Sequence, residues 1–136
     1  MSTDRQTASR EGLSKCERLY GKSDISRLLK EGRFGHEGVL KFCWLYRADA
    51  AGSRVMVSVS KRFFKRAVTR NLLKRRLREA FRRSKGLLAF PGGCDLMLSY
   101  NSKEITDYKE IKSCVEALLS YISDRVNASL KEVSAE

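Results

Sequence analysis

The chain has 136 residues, 42% of them hydrophobic, a length and composition that fit one globular domain and leave no room for two independent cores. No run approaches the roughly 20 apolar residues of a membrane-spanning helix. The polar start, Met1 to Glu11, lacks the apolar stretch of a secretory signal, so a cytoplasmic setting with reduced thiols is expected. Net charge is +12, from 28 Lys and Arg against 16 Asp and Glu, which points to a polyanionic partner.

In chain order, residues 1–15 read as a disordered arm, 16–126 as a single domain and 127–136 as a polar C-terminal tail. Ser23 or Asp24 is placed to cap a first helix carrying Ile25, Leu28 and Leu29, with Gly32 ending it in a left-handed conformation. Val39–Tyr46 alternates as a strand, and Val55, Val57 and Val59 mark a second, the two expected to form an antiparallel hairpin. Phe34 and His36 fall in the loop between helix and strand.

Within Ala67–Arg83, Val68, Leu72, Leu73, Leu77, Ala80 and Phe81 recur at helical spacing and predict a docked apolar face. Phe90-Pro91-Gly92-Gly93 breaks that helix, and Leu96-Met97-Leu98 makes a third strand, reached by a helical crossover. Asp107 with Glu110 fits a capping box, followed by the stripe Ile111, Val115, Leu118, Leu119 and Ile122 of a closing helix. The elements together predict an α+β fold with helices on one face of a small sheet.

The charge is concentrated. Lys61 to Arg83 holds eleven basic residues against the single acid Glu79, a local +10, whereas the other 113 residues carry +2. Arg66, Arg70, Lys74, Arg78 and Arg82 recur every four residues, with Asn71 and Arg75 beside them. Like charges at that spacing destabilise an isolated helix by roughly 0.2–0.5 kcal/mol per pair, and phosphates reverse the penalty by releasing condensed counterions. An ordinary solvated helix face would interleave acids, so the row reads as a docking face for nucleic acid.

No protein-only active site is visible. The sixteen acids are scattered, His36 is the only histidine, and the four cysteines (Cys16, Cys43, Cys94, Cys114) lack metal-ligand spacing and read as small hydrophobes. A helix-turn-helix DNA binder would need a short helix before the basic one, where a strand stands instead.

Ser58-Val59-Ser60-Lys61-Arg62 followed by Ala67 through Phe81 closely resembles the signature of the bacterial ribonuclease P protein subunit. The likeness runs over about residues 18–122 and includes Arg18-Leu19, Asp24 to Gly32 and Asp95-Leu96-Met97-Leu98. It implies an α/β sandwich, ribosomal-protein-domain-like, in the order α-β-β-β-α-β-α, with a small mixed sheet, a left-handed βαβ crossover and one short strand more than the pattern shows. It implies a non-catalytic subunit of a ribonucleoprotein endoribonuclease that removes the 5′ leader of precursor tRNA, with Mg2+ and the chemistry held by the RNA.

By position, Arg70, Asn71, Lys74, Arg75 and Arg78 would contact the catalytic RNA, with Lys61, Arg62 and Arg66 nearby. Where the family usually shows Arg-Asn-Arg this chain has Arg70-Asn71-Leu72, so one contact is missing or supplied by a neighbour such as Arg76. The family's leader cleft lies between the first helix and the sheet and stacks bases on aromatic side chains; here it would use Ile25 and Leu29 from the helix and Phe42 or Trp44 as floor. The other reading of the residues is a structural, ribosomal-type RNA binder with no part in processing.

Overall fold

The computed structural model describes residues 17–135, so the arm over residues 1–15 and Cys16 lie outside the described residues. The elements are α1 (Lys22–Glu31), β1 (Arg33–Glu37), β2 (Leu40–Arg47), β3 (Arg54–Val59), α2 (Ala67–Ser84), a 3-10 turn at Lys85–Leu87, β4 (Gly93–Tyr100) and α3 (Tyr108–Ala135). The order is α-β-β-β-α-β-α, and β1 is the short strand that alternation did not reveal. Phe34 and His36 therefore stand on a strand, not in a loop.

The four strands lie in the order β1-β2-β4-β3. β2 runs antiparallel to both β1 and β4, and β3 runs parallel to β4, so the sheet is mixed. β2 and β3 are thus not a hairpin: β4 sits between them, and the hairpin partner of β2 is β1, joined through Gly38 at φ 56°. A parallel β3–β4 pair needs a crossover, which α2 supplies.

Alternation then sends successive residues to opposite faces. Leu40, Phe42 and Trp44 of β2, Val55 and Val59 of β3, and Leu96 and Leu98 of β4 meet Leu73, Leu77 and Phe81 of α2 and the whole predicted stripe of α3. Cys43, Leu45, Met56 and Met97 point the other way, against Leu19, Ile25 and Leu28. Helices therefore cover both faces, with α1 alone on the second, correcting the one-faced arrangement. The main cluster has twenty buried side chains and the α1 cluster three, Leu19, Leu28 and Cys43. At about 1.5–3 kcal/mol per fully buried large aliphatic, α1 is the more weakly anchored helix.

What else holds α1 is a charge bridge. Arg54 donates from Nε and Nη2 to the two carboxylate oxygens of Asp95 at 2.9 and 2.8 Å, and from Nη1 to Asp24 Oδ2 at 3.1 Å. Asp24 thus ties α1 to the sheet instead of capping it; the N-cap is Gly21, without a side-chain bond. Gly32 does not enter the left-handed region, its φ being −74°. A glycine is needed there because a Cβ would overlap the Leu28 carbonyl oxygen and stand 2.8 Å from Cys43 Sγ.

Val68 is 80% exposed instead of docked. It lies about two and a half turns before Leu77, hence on the opposite side of α2. Asp107 Oδ1 accepts from the Glu110 backbone N–H at 2.9 Å, as the capping pattern predicts. α3 then continues to Ala135 through the stretch read as a tail, with Val126 buried and Leu130 packed on the core. Cys43 and Cys94 are free and buried, and burial pushes the Cys94 thiol up to about 12, in keeping with a packing role. No helix among the described residues is long and apolar enough to cross a membrane.

Candidate nucleic-acid interface

The face of α2 turned from the core is built by its own periodicity. At about 100° per residue, Asn71, Lys74, Arg75, Arg78 and Arg82 fall within about 100° of arc, while a spacing of four carries Arg66 and Arg70 progressively off that stripe. The row therefore winds around the helix and divides into residues with different tasks.

Arg70, at the edge, turns back on the segment before the helix, donating from Nη1 to the carbonyls of Phe64 at 2.9 Å and Lys65 at 2.8 Å. It closes the basic turn that displays Lys61, Arg62 and Lys65, all exposed. Arg82 and Arg83 both bind Glu79, at 2.7 and 2.6 Å. The Arg82 hydrogen bond is the main cause that holds Glu79 down at about 2. Between these anchored ends Lys74, Arg75 and Arg78, and before them Arg66, have no carboxylate within 4.0 Å among the described residues, and Asn71 is exposed beside Lys74 and Arg75.

Two further observations add positive potential. The N-cap of α2 is Arg66, with no side-chain cap and no acid in the first turn, so its orphan N–H groups share the site with cations. Burial first, and the neighbouring Arg18 guanidinium second, push the Arg78 guanidinium below its ordinary value. Arg18 is set in place by a parallel bridge to Val55, and the sequence pattern did not single it out as a site residue. No local periodicity connects it to α2; the signal that could have found it is that Arg18-Leu19 opens the family likeness. Arg76, the neighbour expected to supply the contact absent at Leu72, donates from Nη1 to the Thr106 carbonyl at 2.6 Å, fastening α2 to the β4–α3 loop.

The four expected cleft residues are not brought together. Ile25 and Leu29 belong to α1, whereas Phe42 and Trp44, 4% and 6% exposed, pack on the other face of the sheet, where Phe42 meets the Tyr121 ring edge-on. The pleat dictates this, since Cys43 between them is the residue that faces Leu28. Phe34, paired with Cys43 in register, is exposed on the α1 side at 67%, and Tyr20, next to Leu19 of the α1 cluster, is exposed at 66%. With His36, Lys41, Met97 and Ser99, Phe34 borders a hollow of about 440 Å³, which the Phe42 ring also reaches beside Gly35.

Comparison with known proteins agrees with this architecture. The family model for ribonuclease P matches residues 13–123. The ribonuclease P protein component of Porphyromonas gingivalis ATCC 33277 is 43% identical over 79 residues, 57% of this chain, and the alignment spans only 58% of that relative's length. The Thermotoga maritima component is 32% identical over 101 residues, 74% of this chain and 83% of that protein. The solved T. maritima protein superposes with a TM-score of 0.65 at 29% identity, covering 77% of this chain and 96% of that one. The Staphylococcus aureus RNase P protein gives 0.66 at 23% identity, over 78% and 94%, a likeness of fold. A family match over most of the chain, joined to the same mixed sheet and three helices, means that this chain belongs to the ribonuclease P protein family.

Proposed function

We propose that the protein is the RNA-binding subunit of ribonuclease P, docking on the catalytic RNA and holding the 5′ leader of precursor tRNA while RNA-bound Mg2+ hydrolyses the phosphodiester. The observation that carries the reading is the stripe Asn71, Lys74, Arg75 and Arg78, held outward by a helix whose other face is locked in the core, with no carboxylate within 4.0 Å of its cations among the described residues. Each cation set against a phosphate releases condensed counterions, and arginine adds paired hydrogen bonds to phosphate oxygens. Lys61, Arg62 and Arg66 extend the contact at the turn that Arg70 closes.

The leader lies on the α1 side of the sheet, with Phe34 as the stacking surface in place of Phe42 and Trp44, and Leu29 at its wall. Leader contacts exist in substrate and vanish in product, so they favour release of mature tRNA.

The test is cleavage of a 5′-extended precursor tRNA by ribonuclease P RNA at low Mg2+, with and without the protein. The protein is expected to restore cleavage at the mature 5′ end and to be inactive alone. The K74E/R75E double variant should keep its circular dichroism, lose the rescue and flatten the salt dependence of RNA binding by a slope of about 1.5–2. No rescue, with binding no tighter than to a random RNA of equal length, overturns the proposal and leaves a structural RNA binder.

A further inference from the structure

The family match ends at residue 123, yet α3 runs on to Ala135. That continuation, through Arg125, Val126 and Leu130, forms one wall of a cleft of about 400 Å³ whose other wall is Arg33, Trp44 and Tyr46 at the β1–β2 edge. α2 packs on the β3 edge of the sheet, whereas α3 also reaches β1 and β2, so the cleft lies on the face shared with the basic helix but toward the opposite, β1 edge.

The two arginines are arranged alike. The Arg33 guanidinium lies over the Trp44 ring at 5.8 Å, and that of Arg125 over the Tyr121 ring at 6.0 Å. Both are exposed, and neither has a carboxylate within 4.0 Å among the described residues. A guanidinium already seated on an aromatic face has fewer rotamers to lose on meeting a ligand, and its in-plane N–H donors stay free for an anion. Between them the floor is apolar, from Val126, Leu130 and the body of Tyr46, whose hydroxyl is turned away to donate to the Pro91 carbonyl at 2.6 Å. One acid, Glu31, is among the lining side chains.

We infer that this cleft is a second RNA site, taking one nucleotide of a single strand: phosphate between Arg33 and Arg125, sugar and base against the apolar floor. The class of ligand follows from the walls: two unpaired, pre-seated guanidiniums suit a phosphodiester, and the apolar floor suits a base. Glu31 accepts but does not donate, so it favours a base with an exocyclic amine, cytosine above uracil. The choice of RNA over other phosphorylated ligands rests on the subunit reading above.

Trp44 is the only tryptophan in the chain, so its emission reports on this cleft. The full chain is titrated with a labelled eight-nucleotide oligocytidylate, reading tryptophan emission and oligonucleotide anisotropy together. Emission is expected to change saturably. The R125Q variant, which leaves Arg33 on Trp44, should weaken the emission midpoint about ten-fold, the size of one lost charged hydrogen bond, and R33Q/R125Q should abolish it. K74E/R75E should leave that midpoint in place.

Emission that stays still while anisotropy shows bound strand, or R125Q titrating like the unchanged protein, overturns the inference. Cytidine monophosphate reaching the same midpoint as the octamer overturns the strand in favour of a free nucleotide. Rescued cleavage without an emission response removes this cleft alone, and an emission response without rescue removes the subunit reading alone.

Discussion

At the scale of single residues, the sharpest energetic contrast is between Asp95 and Glu79. The Asp95 side chain is 3% exposed and has Arg54 on both oxygens, with Arg47 Nη1 more distant at 3.5 Å. Removing one partner of a buried pair leaves an uncompensated charge, so R54M should lower stability by about 3–5 kcal/mol, read from urea denaturation. Glu79 is more exposed, and its carboxyl is held near 2 against its usual 4.5. A lowered carboxyl pKa stabilises the fold above the unfolded value and loses that contribution as pH falls, here from about 4.5 to about 2. E79Q should flatten stability against pH across that window. It should also free Arg82 and Arg83, steepening the salt dependence of RNA binding by up to about two phosphate contacts, each visible as a change in slope. Neither role is local in origin to the same degree: Glu79 stands out in sequence as the lone acid among cations, whereas the Arg54–Asp95 pair spans 41 positions and no periodicity announces it.

At the scale of elements, legibility follows burial. α2 and α3 repeat their apolar positions over several turns against one core, so their apolar stripes can be read directly; Leu73, Leu77, Ile111, Val115 and Leu118 are all fully buried. β1 is an edge strand whose sequence, Arg-Phe-Gly-His-Glu, exposes residues on both faces and so carries no alternation. The end of α3 was missed because its residues beyond Asn127 are mostly polar; good helix formers and the Val126–Leu130 contact continue it nonetheless. The α1–β1 junction is the element boundary with the least tolerance. G32A places a methyl against the Leu28 carbonyl and Cys43 Sγ, and should cost about 1–3 kcal/mol in a thermal melt. Because α1 has the smaller core, its amides should lose hydrogen-exchange protection in that variant before those of α3 do.

At the scale of the whole molecule, the sequence already separates a basic docking surface from everything else, because charge is counted without knowing the fold. What it cannot assign is which helix covers which face of the sheet. Strand alternation says that Phe42 and Cys43 point oppositely, and only the three-dimensional arrangement says that α1 takes the cysteine side. That one undetermined choice is why Phe42 and Trp44 are buried on the α3 side while Phe34 is exposed on the α1 side.

The position of β4 has a consequence for how the chain is made. It is the last strand in the sequence and yet an interior strand of the sheet, flanked by β2 and β3. Before it is synthesised, β3 has no partner strand, only the bridge of Arg18 to Val55, and until α3 follows, the apolar side of α2 lies open at Leu73, Leu77 and Phe81. The basic stripe is thus translated mid-chain but gains its rigid backing only at the end. A chain interrupted on the ribosome carries the cations without the platform that aims them, so the stripe takes its native geometry only in finished molecules.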